Sequence, residues 1–357
     1  MWSFLFALVA LFVAVGESFF RHRPILFKDK PSVNEDDINI HLFLSRFRLS
    51  KKTVELYWMM GALFRLKGNI DYALRIHGAI LEKGMEIERA KLEMAEDFFT
   101  AGLYDQAENL LLQVHKDPYR IKANKLLRLI YTREKEWQKA IAITELLSIE
   151  TKVPWHHEIA HFYCELALRA WVVDQYAQAF FFTEKALNID RHNVRANMIA
   201  GQIYLVQQDW LLAINRFRAI ETQDPAYLSL IIESLLRAYA AWGKTEEILP
   251  VLWRYWEQHR LVEALLAWFD CQENKRTLLL LEETKKNPDL KLLLKILDFK
   301  TSQESLETSL IRDFLRDLEE RAKHVCRQCG YKTSTFLWQC PSCESWSTMT
   351  PQKVVHD

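Results

Sequence analysis

Four of the six cysteines in this 357-residue chain lie close together near its end, in CRQCGYKTSTFLWQCPSC from Cys326 to Cys343. The spacing is C-x2-C-x10-C-x2-C. One C-x-x-C could be a redox dithiol. Two in tandem favour a closed tetrathiolate, because four soft sulfurs arrange tetrahedrally around zinc or iron. Each C-x-x-C turn can aim backbone N–H groups at the sulfurs and spread their charge. Gly330 suits the positive φ that ends such a knuckle. Glu344 holds the matching place in the second knuckle, where a non-glycine residue is less comfortable, and Pro341 stiffens that turn. Cys326, Cys329, Cys340 and Cys343 are therefore the candidate ligands of one metal ion, iron or zinc. A unit this small cannot hold itself together by apolar burial, so metal binding must supply its folding free energy. Tyr331, Phe336, Trp338 and Trp346 offer more aromatic surface than the knot can bury, so some should dock elsewhere on the chain. A structural role fits this pattern best. Electron transfer and a zinc-ribbon contact with nucleic acid are the alternatives, and no basic cluster suited to a phosphate backbone flanks the knot.

Other candidate chemistry is sparse. Glu158 and His161 form E-x-x-H within EIAHFYCELAL, the spacing of carboxylate-bridged di-iron bundles, but no second copy exists. His161 and Cys164 share one helix face as two metal ligands would, yet two ligands do not make a site, and packing is the simpler role. Trp155-His156-His157 reads as loop decoration. Glycine-rich phosphate loops, G-x-S-x-G and H-E-x-x-H are all missing, so no catalytic residue is assigned and the chain reads as a non-enzyme. Lys plus Arg equals Asp plus Glu, at 47 each, so bulk charge points to no nucleic-acid partner. Cys164 and Cys271 stand alone in helical sequence, as buried cysteines of a reducing compartment do.

The knot follows a long helical body. Nine glycines and nine prolines are too few for a turn-rich sheet protein. Five segments repeat one signature: NIDYALRIHGAIL, LYDQAENLLLQV, EWQKAIAITELL, QYAQAFFFTEKAL and DWLLAINRFRAI. Their alanines, Ala73, Ala107, Ala140, Ala179 and Ala213, step by 34, 33, 39 and 34 residues, and 34 is the tetratricopeptide period. Twelve residues earlier a second small residue recurs as Gly61, Ala95, Ala167 and Gly201, with Arg128 the exception. Nine residues earlier come Phe64, Phe98, Tyr131 and Tyr204, with Ala170 the exception. Small residues on both helices of a pair let the backbones approach, and the aromatic fills the space beside them. Asp224-Pro225 ends a repeat, and a weaker sixth unit follows around LLRAYAAWGKTEEILPVLWRYW. The longer step falls at SIETKVPWHHE, read as an extended loop. An unrelated helical bundle is the bland alternative.

At the other end, MWSFLFALVALFVAVGESFF carries no polar side chain from Phe4 to Val15. As a helix from Trp2 to Phe20 it would span about 28 Å, near the hydrocarbon thickness of a bilayer. A cleaved signal peptide would also have such an apolar core. However, no Lys or Arg precedes the run, while Arg21, Arg23, Lys28 and Lys30 follow it, which keeps the body on the cytoplasmic side. The expected organisation is all-α: an anchor over 1–20, a juxtamembrane linker and shortened helical segment over 21–53, and tetratricopeptide repeats forming a superhelical solenoid over 54–260. Further helices occupy 261–323, with an apolar stripe of Leu310, Ile311, Phe314, Leu315 and Leu318, and the metal knot occupies 324–357.

This order of parts, with AGLYDQAENLL, EWQKAIAI, EIAHFYCELAL and CRQCGYKTSTFLWQCPSCESWST as its most specific stretches, resembles the lipopolysaccharide assembly protein B family of Gram-negative bacteria. The resemblance covers nearly the whole chain, although the region before Glu55 is short for a complete first repeat and the anchor sequence diverges. It implies a single-pass inner-membrane adaptor facing the cytoplasm, which promotes degradation of the LpxC deacetylase by the membrane protease FtsH and so regulates lipopolysaccharide biosynthesis. It implies a rubredoxin-like knot packed on the helices, with the four terminal cysteines as ligands. An inner-membrane lipopolysaccharide sensor that restrains the adaptor is a further implied partner, and homodimerisation stays open. A membrane-attached electron carrier and a general peptide-binding chaperone are the competing functions.

Overall fold

The computed structural model describes residues 48–272, 277–286, 289–299, 312–313, 315–316 and 324–351. The expected anchor over 1–20 and the linker up to residue 47 lie outside the described residues, as do Leu310, Ile311, Phe314 and Leu318 of the apolar stripe. No described helix is long and apolar enough to cross a membrane. The chain divides into two compact units at Ala90.

In the first unit, helices α1 (Val54–Leu66) and α2 (Ile70–Glu82) pack together. Their core gathers Val54, Tyr57, Trp58, Phe64, Ala73, Ile76 and Ile80. Helix α3 (Ile87–Thr100) begins here and runs on into the second unit. That unit continues with α4 (Tyr104–Leu111), α5 (Tyr119–Arg133), α6 (Trp137–Thr151), α7 (His156–Val172), α8 (Tyr176–Ile189), α9 (Val194–Val206) and α10 (Trp210–Gln223). After a 3-10 turn over Pro225–Leu230 come α11 (Ile232–Ala241), α12 (Leu249–His259), α13 (Val262–Asp270), α14 (Thr277–Lys286) and α15 (Leu290–Phe299). Within the second unit α5 packs on α6, α7 on α8 and α9 on α10, while α7 also packs on α9. Packing each first helix on the next one is how helix-pair repeats bury faces that a lone pair would leave open.

The turn inside each repeat is built identically. Five residues before each aligned alanine the backbone turns left-handed, at Gly68, Gly102, Lys135, Asp174 and Gln208, with φ between 58° and 80°. The next residue donates its N–H to the carbonyl of Phe64, Phe98, Tyr131, Ala170 or Tyr204, at 2.8–2.9 Å. These are the residues nine before each alanine, so that position closes the first helix through its carbonyl whatever its side chain. This is the hydrogen bond of a Schellman ending. Glycine takes the left-handed position in only two of the five turns, which is why a search for glycine does not reveal it.

All five alanines are fully buried. The choice of small residue follows from packing. A Cβ on Gly61 would stand 2.1 Å from His77 Nε2, and one on Gly201 would stand 2.4 Å from Phe217 Cε1. His77 and Phe217 occupy the position four after the alanine. Where the small residue is alanine, as at Ala95 and Ala167, that position holds Leu111 or Thr183 instead. Glycine is thus matched with a ring and alanine with a smaller chain. Arg128 is in register with Thr144, and its guanidinium lies 4.7 Å above the Trp155 ring. Ala170, where an aromatic is expected, is buried all the same.

The extra residues of the 39-residue step are not all loop. α6 runs to Thr151, left-handed Lys152 ends it, and only Lys152–Trp155 separate it from α7. His156 and His157 start α7, which at 17 residues is the longest described helix. The insertion lengthens helix because the added turn is held from outside the repeat, as the next section describes. At Asp224, the side chain accepts the Ala226 N–H at 3.0 Å and α10 stops before Pro225, as expected. The knot itself is a three-stranded antiparallel sheet ordered β2 (Lys332–Thr333), β1 (His324–Cys326), β3 (Met349–Pro351).

Gly201→Ala should lower stability by about 1–3 kcal/mol, because Phe217 must move, even after the gain in helix propensity. Gly201→Ala with Phe217→Leu, which reproduces the Ala95–Leu111 match, should recover most of that loss in urea denaturation of the full chain. Equal losses in both variants would show that the ring is not the obstacle.

Candidate metal centre and its docking face

The knot's two C-x-x-C turns are near copies of each other. Gly330 N–H donates to the Cys326 carbonyl at 2.9 Å, and Glu344 N–H donates to the Cys340 carbonyl at 2.8 Å. Gly330 and Glu344 are both left-handed, at φ 77° and 58°. In the first knuckle the N–H groups of Gln328 and Cys329 point at the Cys326 sulfur, and in the second those of Ser342 and Cys343 point at the Cys340 sulfur.

All four cysteines are free thiols. Their Sγ atoms lie within 4.8 Å of one another, with Cys326–Cys343 at 3.7 Å and Cys329–Cys340 at 3.6 Å. Four thiolates placed tetrahedrally at a zinc–sulfur distance of about 2.3 Å would be about 3.8 Å apart, so the donor set fits such an ion. Burial pushes the Cys326 thiol up, but the Thr348 hydroxyl 3.3 Å away and the knuckle N–H groups outweigh it and bring it to about 6. Burial keeps Cys340 high, at about 12. Hydrogen bonds from Ser345 draw Cys343 down. Cys164 is not part of this cluster. It is buried in α7 with its sulfur 3.9 Å from Asn193 Oδ1, and burial raises its thiol to about 12.

The knot's own core is small: Cys326, Cys340 and Met349, with Phe336, Leu337 and Cys343 against it. Trp346 and Trp338 pack against the helices instead. Trp346 belongs to the cluster of α5, α6 and α7, and is 7% exposed. It stacks on His161 with centroids 4.8 Å apart and planes 16° apart, and meets Trp137 and Phe162 edge-on. Trp338 stacks on Tyr227 at 5.5 Å, and Phe336 packs edge-on to both. Of the four aromatics singled out from sequence, only Tyr331 stays exposed.

Polar contacts complete the face. Ser347 Oγ lies 2.8 Å from His161 Nε2, and the Ser347 carbonyl accepts from Tyr227 Oη at 2.7 Å. Glu344 accepts from Arg133 Nη2 at 2.7 Å, and Arg327 donates to both oxygens of Asp224 at 2.8 and 3.2 Å. Arg195, buried and paired with Glu165 at 2.8 Å, sits 5.6–5.8 Å from the Trp338 and Trp346 rings. Ser347 and Glu344 are the knot's two left-handed non-glycine residues. Such conformations are costly and persist where surrounding contacts over-determine them. Here the same two residues bond to the helices.

His161 therefore has a role beyond packing. Burial first, then Arg195 and His157, hold its pKa well below the ordinary range, so it is a neutral stacking surface. His157 behaves oppositely. Its Nδ1 lies 3.3 Å from Asp190, whose carboxylate raises its pKa against burial, with Glu158 and the Trp346 carbonyl assisting. Glu158 does not join His161 in any metal cluster among the described residues. The docking residues Arg133, Arg195 and Tyr227 carry no sequence signal, and Asp224 is marked only as the end of a repeat. Among the specific stretches, EIAHFYCELAL and, through Trp137, EWQKAIAI lie under the knot.

Residues 324–351 match the family described as the rubredoxin metal binding domain. The whole chain is similar to lipopolysaccharide assembly protein B of Escherichia coli K12, with 30% identity over 336 residues covering 89% of this chain and 86% of that protein. The protein of that name from Haemophilus influenzae is 26% identical over 344 residues, with the same coverage of each. Among solved structures, a tetratricopeptide repeat protein from Parabacteroides merdae is 15% identical, covers 74% of this chain and 99% of its own, and has a TM-score of 0.33. PilF of Pseudomonas aeruginosa is 16% identical, covers 60% and 96%, and has a TM-score of 0.31. The repeat fold described above rests on its own turns and register, not on these two.

A raised histidine pKa contributes stability in full below the unfolded value and loses it as pH rises through the folded value. His157→Gln should therefore destabilise the chain more at about pH 5.5 than at about pH 9, around the ordinary imidazole range. Its half-exposed side chain makes the effect small and salt-sensitive. Urea denaturation at the two pH values measures it, and a difference independent of pH would remove the charged imidazole from the docking face.

Proposed function

The chain belongs to the lipopolysaccharide assembly protein B family, and on that footing we propose that it is an inner-membrane adaptor that delivers the LpxC deacetylase to the protease FtsH. The observation that carries this reading is the likeness across 89% of the chain, repeats and knot together. Repeats of paired helices present extended protein-binding surfaces, and the chain acts as a scaffold with no reaction of its own. Residues 1–20 hold it to the bilayer with its body in the cytoplasm. Confinement to the membrane surface raises its effective concentration beside a membrane protease, so a modest affinity for each partner suffices.

Within this reading Cys326, Cys329, Cys340 and Cys343 ligate one iron or zinc ion. When bound, the ion supplies a tetrathiolate centre that fixes the fold of the knot. The chain's own residues do the rest. The knuckle N–H groups and Thr348 stabilise the thiolate charge, while Trp346, Trp338 and Ser347 transmit the knot's position to the helices.

Removing the ion, or changing all four cysteines to serine, should unfold the knot and release Trp346, given apparent metal contributions of about 10–16 kcal/mol in small tetrahedral sites. Hydrogen exchange over residues 156–172 and 324–351 reads this directly. Unchanged protection in metal-free chain would separate the ion from the docking. A chain lacking residues 1–20 should fold yet fail to shorten the deacetylase half-life in cells, measured by pulse-chase. Full activity of that soluble form would end the tethering argument.

A further inference from the structure

Between the knot and helices α5 and α7 lies a cleft of about 460 Å³, lined among others by Arg128, His157, Glu158, Gln328, Gln339 and Glu344. Two of its four charged neighbours have partners of their own. His157 is held by Asp190, and Glu344 by Arg133 at 2.7 Å. The Arg128 side chain makes no ion pair or hydrogen bond with a described residue, and its buried Nε has no hydrogen-bond partner. Its guanidinium lies 4.7 Å above the Trp155 ring, whose buried indole N–H also has none. Glu158 and Glu344 act on Arg128 only through space.

The sequence sharpens the anomaly. In four of five repeats this position holds glycine or alanine, because the helices meet there. Only the repeat beneath the knot replaces the small residue with a long cation. Nothing in the packing of α5 on α6 needs a guanidinium. Partial burial without a partner is unfavourable for it, and draws its pKa down.

We infer that this cleft is a carboxylate-binding site, with Arg128 as the cation that pairs with the bound group. The planar fork of a guanidinium matches a carboxylate in two parallel hydrogen bonds. Glu158 and Glu344 at the rim tolerate one negative charge better than the two of a phosphate. The amides of Gln328 and Gln339 add donors and acceptors suited to a peptide backbone or to a small organic acid. More than half of the wall belongs to the knot, so the site exists only while the knot is docked. The inference stands whether or not the adaptor reading does, because it concerns ligand chemistry alone.

Calorimetric titration of the full-length, metal-loaded chain tests it, with glutarate, an acetylated and amidated tetrapeptide of two glutamates and two alanines, and inorganic phosphate as probes. Saturable binding of glutarate or the peptide is expected. Arg128→Gln should weaken it about tenfold or more, as loss of a charged hydrogen bond does. Arg128→Lys, which keeps the charge and loses the fork, should fall between. Tighter binding of the peptide would assign the site to an acidic segment of a polypeptide, and equal binding would assign it to a free organic acid. Phosphate binding as well as the carboxylates, no saturable binding of either carboxylate, or unaltered affinity in a folded Arg128→Gln chain would each overturn the assignment. Thermal unfolding of both variants verifies the fold.

Discussion

The stacking of Trp346 on His161 is the contact around which the second unit is arranged. The rings lie nearly parallel at 4.8 Å, in a place from which water is excluded, and belong to residues 185 positions apart in sequence. Neither ring could be held there by its own neighbourhood. Trp346 needs a rigid turn behind it, which the Cys340–Cys343 knuckle provides through the bond from Glu344 N–H to the Cys340 carbonyl. His161 needs a helix that reaches under the knot, which the 17 residues of α7 provide. A neutral imidazole is required for close stacking under a buried arginine, and burial keeps it neutral.

The same arrangement explains why the left-handed non-glycine residues described in the knot are Glu344 and Ser347. Glu344 and Ser347 adopt left-handed conformations that cost about 1 kcal/mol or more for residues with a Cβ. Glycine at either site would relieve the strain but would remove the Arg133 ion pair or the hydroxyl contact with His161. The first knuckle, whose matching residue makes no such bond, does use glycine. Within the described part of the knot, local comfort is given up where a side chain is wanted on the helices.

Much of this was legible in the chain itself. The four cysteines converge because C-x-x-C pairs carry their geometry locally, and the alanine register survives because close helix approach allows nothing larger. The docking partners were not legible. His161 sits in a segment that reads equally well as ordinary core, and its partner is fixed only once the knot has folded and found α7. Arg133, Arg195 and Asp224 look like solvated charges until the knot covers them. The shared left-handed turn was missed because Lys135, Asp174 and Gln208 adopt it without being glycine. SIETKVPWHHE looked like loop because its histidines find their helical neighbours across the fold, not along the sequence.

The knot touches the array at Arg133 in α5, His161 in α7, Arg195 in α9, and Asp224 and Tyr227 beyond α10. Stacked helix pairs behave like a spring, because each joint is free to flex a little against the next. A brace bolted across three consecutive joints removes that freedom over the braced coils alone. The stiffness of this stretch is thus set by a clip made elsewhere in the chain, and whether the spring is taut or slack comes down to whether four sulfurs stay gathered.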